Sequence, residues 1–192
     1  MKVEVGISNR HIHIKKEDYL KIFSGLDELT KVKALNQKGE YATNKKVTIK
    51  TSKGELTNVR VLIPFREYTQ VEISRTDSYK LGIKPPIRNS GELEKAESVT
   101  IIGEIGKIER EACIIAARHL HINNDDYKKY GLEGKGKVRV KTFGEKSAIL
   151  DNVFIKLSPN AYTELHLDTD DANALCLENG DIVEIIKEWV YE

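Results

Sequence analysis

The chain repeats one short phrase, Arg10-His11-Ile12-His13-Ile14 and Arg118-His119-Leu120-His121-Ile122, and this repetition limits what it can fold into more than any other feature. Four of its five histidines lie in the two phrases. Residues i and i+2 share one side of a β-strand but point nearly opposite ways on a helix, so each His-x-His predicts an extended segment presenting two imidazoles together. Neutral imidazole is the commonest metal ligand, and two copies with the same flanking arginine and the same apolar spacer favour a metal site. The competing reading is two pairs of hydrogen-bonded structural histidines.

The repetition runs beyond the phrase. Residues 2–8 alternate and predict a strand that delivers the first histidine pair. Lys15-Lys16-Glu17-Asp18-Tyr19 opens a short helix over 15–23, and Asn123-Asn124-Asp125-Asp126-Tyr127 matches it at an offset of 108. Alternating strands at 47–50 and 138–141 lead through polar turns to Asn58-Val59 and Asn152-Val153. Tyr68-Thr69-Gln70-Val71-Glu72 then aligns with Tyr162-Thr163-Glu164-Leu165-His166 at an offset of 94. The shortened offset implies an extra loop in the first copy within residues 20–46, since indels in surface loops cost little.

This alignment sets Glu72 opposite the fifth histidine, His166. Each half thus supplies a His-x-His and one further nitrogen or oxygen donor. Six ligands suffice for two metals with coordination positions left open, the arrangement of catalytic rather than structural sites. Against this stands the reading that Glu72 and His166 are ordinary strand residues.

Arg66 has no counterpart in the repeat, for Asn160 stands opposite it. If a strand ran from 66 to 72, the even spacing would put Arg66 and Glu72 on one face, where a guanidinium fork can receive a phosphate or carboxylate. A surface or structural arginine is the alternative. Between the copies, Lys84-Pro85-Pro86-Ile87-Arg88 is a stiff connector, and Asn89-Ser90-Gly91 is either a plain turn or one whose N–H groups form an anion-binding concavity. Strands are expected at 99–103, 108–116 and 181–186, and a short helix over 168–175 with Asn179-Gly180 as its stop. The expected fold is mainly β: two small β-barrels of a duplicated unit, residues 1–88 and 89–192, capped by short α-helices, with the metal site between them.

Charge is balanced, 31 Lys and Arg against 30 Asp and Glu, which argues against general attraction to nucleic acid or an anionic membrane. No apolar run is long enough to span a bilayer, and the amino terminus has no signal-peptide core. Cys113 and Cys176, far apart and outside any metal or redox spacing, are expected to be reduced packing thiols of a cytoplasmic protein.

Five stretches carry a family resemblance. Ser8-Asn9-Arg10-His11-Ile12-His13, residues 70–77, residues 85–91, Ala116-Ala117-Arg118-His119-Leu120-His121 and residues 166–174 together resemble the PduL-type phosphate acyltransferases, the phosphate propanoyltransferases associated with bacterial microcompartments. The resemblance spans essentially the whole chain. It implies two β-barrel domains, whose first strand can pair into the other half, and a dinuclear zinc site, another divalent metal being left open. It also implies reversible conversion of acyl-CoA and phosphate to acyl phosphate and CoA, with propanoyl- or acetyl-CoA as substrate class. Position by position it implies Glu72, His119 and His121 on the zinc that meets the CoA sulfur, and His11, His13 and His166 on the second. Arg66 would position phosphate with Ser90 and Gly91, and Ser8, Lys33, Arg60, Leu62 and Asn173 would form the CoA wall. The compartment-targeting forms carry an amphipathic amino-terminal segment absent here, so a free cytoplasmic enzyme is expected, with a homodimer left open.

The chemistry expected of such a site is direct attack of phosphate on the thioester, without an acyl-enzyme. A dinuclear metallohydrolase acting on thioesters or phosphoesters is the alternative, and a non-catalytic metal-stabilised binding module is a third reading.

Overall fold

The computed structural model describes residues 1–186; residues 187–192, the end of the second repeat as read from sequence, lie outside the described residues. In chain order, the first part contains β1 (Lys2–Ser8), β2 (His11–Lys15), α1 (Lys16–Ile22), β3 (Lys31–Ala34), β4 (Tyr41–Lys50), β5 (Glu55–Arg66), β6 (Gln70–Glu72), α2 (Arg75–Leu81) and β7 (Ile87–Arg88). There follow β8 (Glu97–Ile102), β9 (Lys107–Ala116), β10 (His119–Ile122), α3 (Asn124–Lys129), β11 (Lys137–Lys141), β12 (Ile149–Leu157), β13 (Glu164–Asp168), α4 (Thr169–Leu175) and β14 (Ile182–Ile186). No helix among the described residues is long and apolar enough to cross a membrane.

The chain forms two compact units. A continuous unit holds Asn9–Ala116, and a split unit joins Met1–Ser8 to the chain from Ala117 onward. The units therefore do not divide at 88/89, where the repeats meet in sequence. In the split unit six strands close into a barrel in the order β1, β13, β10, β12, β11, β14. The continuous unit closes another six-stranded ring, β4, β5, β2, β6, β9, β8, because β8 pairs with both β4 and β9. Two further strands, β3 and β7, attach to β4 and β9 outside the ring.

The rings have one topology. The histidine strand β2 runs parallel to β5 and antiparallel to β6, as β10 runs parallel to β12 and antiparallel to β13. The sixth place is filled by β9 in the continuous unit and by β1 in the split unit, each parallel to the strand bearing the third candidate ligand. The strand that leads into each histidine pair is thus built into the other unit's ring. The fold is mainly β, with two barrels and short helices, as the repeat implies.

Alternation builds the two cores. Ile12, Ile14, Val47, Ile49, Val59 and Val71 are buried in one, and their repeat equivalents Leu120, Ile122, Val138, Val140, Val153 and Leu165 in the other. Asn58 and Asn152, equivalent residues at φ 60° and 57°, each take the left-handed conformation that asparagine tolerates better than β-branched residues do. The extra segment of the first copy carries β3. The helix over 168–175 stops earlier than Asn179-Gly180: its cap is Cys176, at φ 52°. Cys113 is a packing thiol in the core, but Cys176 is exposed, a consequence of that capping position.

Candidate metal centres

Because Ile12 and Ile14 face the core, alternation turns His11 and His13 to the other side of β2. The register opposes His11 to Glu72 on β6, and the donor atoms of His11, His13 and Glu72 lie within 4.8 Å of one another. In the split unit the same pairing opposes His119 to His166, and His119, His121 and His166 form a second cluster within the same limit. The structure therefore brings each third candidate ligand to the histidine pair of its own repeat. This corrects the grouping of Glu72 with His119 and His121, and of His166 with His11 and His13, because the antiparallel pairs β2–β6 and β10–β13 fix the neighbours.

The imidazoles are oriented by the backbone. His11 Nδ1 donates to Asn9 O at 2.8 Å and His119 Nδ1 to Ala117 O at 2.9 Å. A carbonyl only accepts, so Nδ1 carries the proton and the neutral ring keeps its lone pair on Nε2. His119 Nε2 faces His121 Nε2 at 3.1 Å, and His11 Nε2 lies 3.5 Å from Glu72 Oε2. Tetrahedral zinc with ligands at 2.0–2.1 Å places its donor atoms about 3.3 Å apart. Both triads thus fit a zinc-sized cation in spacing and donor type.

The flanking arginines of the repeated phrase have a structural task. Arg10 Nη1 donates to Asp77 Oδ1 at 2.6 Å, and Arg118 pairs with Asp171 through Nε at 2.9 Å. Each aspartate sits in the first turn of the helix that follows the third ligand, capped by Ser74 or Asp168. Hydrogen bonding to Asp171 pushes the Arg118 guanidinium up from its ordinary value. Each arginine therefore ties the entrance of a histidine strand to the helix behind the ligand strand.

Arg66 ends β5, and a turn at 67–69 separates it from β6, so it does not share a strand with Glu72. Its Nη2 pairs with Glu40 Oε1 at 2.5 Å, while its Nε is buried without a hydrogen-bond partner. Arg60 and Leu62 lie on β5 level with His11 and His13, and Arg60 Nη1 donates to Thr43 O at 2.8 Å. Lys33 is exposed on β3. Ser8 ends β1, level with Asp168, and Asn173 is exposed on α4, both in the split unit.

The 89–91 turn differs from an open concavity of N–H groups. The Gly91 N–H donates to Gln70 Oε1 at 2.7 Å and the Asn89 N–H to Glu92 Oε2 at 3.3 Å. What Ser90 offers is its hydroxyl. Gln70 and its repeat equivalent Glu164, both buried and each two residues before a third candidate ligand, carried no role in the sequence reading. Gln70 donates to Glu72 Oε1 at 2.6 Å, and Glu164 Oε1 lies 2.7 Å from His166 Nε2. The repeat alignment pairs these two positions, and that was the signal available.

Among known proteins, residues 4–178 match the family model described as phosphate propanoyltransferase. The chain is 46% identical over 185 residues to a phosphate propanoyltransferase of Thermotoga maritima, covering 95% of this chain and 88% of that protein. It is 42% identical over 188 residues to one from Rhodopseudomonas palustris, covering 97% and 83%. With one from Clostridioides difficile the identity is 41% over 187 residues, covering 97% and 90%.

Proposed function

Because the chain belongs to the phosphate propanoyltransferase family, and is therefore a transferase, we propose that it exchanges a propanoyl- or acetyl-class acyl group reversibly between coenzyme A and phosphate, using two zinc ions. The supporting observation is the His11–His13–Glu72 triad, whose two histidines stand on β2 beside β5, the strand that bears Arg60, Leu62 and Arg66. His11, His13 and Glu72 would hold one ion, and His119, His121 and His166 the other. Zinc so held supplies Lewis acidity, sharing the charge of a thiolate and polarising a carbonyl.

The chain's own groups bind and orient the reactants. Arg66 presents a planar fork whose Nε lacks a protein acceptor, so a phosphate there would satisfy a buried donor and compete with Glu40 for the rest of the guanidinium. Ser90 would add its hydroxyl, while Gly91 shapes the turn. Arg60, Leu62 and Lys33 would line the CoA side in the continuous unit. A phosphate oxygen attacks the thioester carbonyl carbon; the new C–O bond forms, the C–S bond breaks, and the electron pair leaves on the CoA sulfur. No cysteine intervenes. Cys113 is buried, and burial, reinforced by the negative charges of Glu97 and Asp77, pushes its thiol up to about 12.

The test is thiol release from acetyl- and propanoyl-CoA with and without phosphate, on protein of measured zinc content, before and after chelation. We expect two zinc ions per chain and phosphate-dependent release that chelation abolishes and zinc restores. Release indifferent to phosphate would mark a metallohydrolase and overturn the reading. Chelation that unfolds a protein without any such activity would mark a binding module and do the same.

A further inference from the structure

Gln70 is fully buried at 0% exposure, and its side-chain amide is engaged on three sides. Nε2 donates to Glu72 Oε1 at 2.6 Å and to Ser90 Oγ at 2.9 Å, and Oε1 accepts from the Gly91 N–H at 2.7 Å. The amide can stand only this way round. Reversed, its NH2 would face the Gly91 N–H, which only donates, and its oxygen would face the Glu72 carboxylate, which only accepts.

We infer that Gln70 is a positioning residue that ties the metal ligand Glu72 to the phosphate-holding hydroxyl of Ser90 through one amide; the inference rests on the acyltransferase reading above. Two consequences follow from the bonds. Ser90 Oγ accepts from Gln70, so its own proton is directed away from Gln70 and is available to an anion. Glu72 Oε1 is held from behind, which sets the carboxylate with Oε2 toward His11 Nε2. Hydrogen-bonded partners of this kind orient ligating carboxylates and tune the metal.

The repeat supports the assignment independently. At the equivalent position of the second copy stands Glu164, beside His166 Nε2. A donor amide thus partners the carboxylate ligand, and a carboxylate partners the imidazole ligand. The two positions differ together, as a partner chosen for its ligand would. Gln70 also reaches the 89–91 turn, in the copy that carries Arg66.

The zinc-loaded enzyme tests this with three variants. Gln70→Met keeps the length and removes all three bonds. In competition with a chromogenic chelator, one of its two zinc ions is expected to bind roughly ten- to a hundredfold more weakly. Its KM for phosphate is expected to rise on the order of tenfold, with the KM for acyl-CoA unchanged. Ser90→Ala should raise the phosphate KM alike and leave both zinc affinities as they are. Gln70→Glu keeps the volume and the acceptor for Gly91 but cannot donate when ionised. The Ser90 proton then turns toward it and the phosphate KM rises, so this variant carries the test if Gln70→Met does not fold. Wild-type phosphate KM in Gln70→Glu, or a rise in the KM of both substrates alike, would overturn the inference. A wild-type enzyme that releases thiol without phosphate would instead overturn the acyltransferase reading, while the zinc competition would still report the link to Glu72.

Discussion

At Gly6 a hydrogen stands where any other residue would place a carbon 2.8 Å from Glu164 Oε2 and 2.9 Å from His166 Cδ2. β1 runs parallel to β13 with Gly6 level with His166, so the missing side chain is the space those two groups use. Gly6 is in an extended strand, and the cost of Gly6→Ala is therefore contact rather than backbone strain. We expect that substitution to weaken zinc at the His119–His121–His166 triad by about tenfold or more and to spare the other triad. A chelator titration that lost both ions together would contradict this. Cys113 gives a second prediction at this scale. An unfolded thiol ionises near 9.0, whereas burial makes the folded one keep its proton to about 12. Between those values the folded state binds more protons than the unfolded state, so stability is intact below about pH 9 and falls as pH rises. The slope contributed by one thiol reaches about 1.4 kcal/mol per pH unit. Chemical denaturation of Cys113→Ala across this range should show a shallower alkaline decline, and an unchanged decline would refute the assignment.

Elements were legible where their cause is local. Alternation located β1, β8 and β9 to within a residue or two, and Asp168 announced α4 as its cap because an aspartate oxygen there accepts the Asp171 N–H. Both histidine strands were legible from spacing, and the repeat supplied Glu72 and His166. What failed was non-local. Alternation says which side chains of a strand face inward but not which strand lies beside it. The ligand grouping, decided by β2–β6 and β10–β13 pairing, therefore had to come from the structure. The supposed shared strand of Arg66 and Glu72 failed because Glu67, Tyr68 and Thr69 turn the chain between β5 and β6. Cys176 capped α4 before Asn179-Gly180 could, and a cysteine at positive φ has no sequence signature. Gln70 was hidden for a different reason: a lone amide beside a ligand looks like any strand residue until its three bonds are seen.

For the whole molecule, the exchange of leading strands between the units decides which pieces of chain can fold. Residues 9–116 contain all six strands of one ring and its core, from Ile12 to Cys113. Residues 1–88 lack β8 and β9, which close that ring between β4 and β6, and they carry β1, which belongs to the other ring. Such a piece would expose unpaired backbone along β4 and β6 and leave Val99, Ile101 and Cys113 missing from the core. Residues 89–192 lack β1, whose place lies between β13 and β14 and whose Val3 and Val5 are buried in the second core. We therefore expect the 9–116 fragment to unfold cooperatively on heating and to bind one zinc ion through His11, His13 and Glu72. Fragments 1–88 and 89–192 should show neither a cooperative transition nor tight zinc binding. Joining residues 1–8 through a flexible linker to 117–192 should restore both. Since β1 is parallel to β13 and antiparallel to β14, the joined segment has a unique place in the ring. Cooperative melting of 1–88 alone would show that the ring tolerates the loss of two adjacent strands, and would refute the claim that the exchange is required for folding.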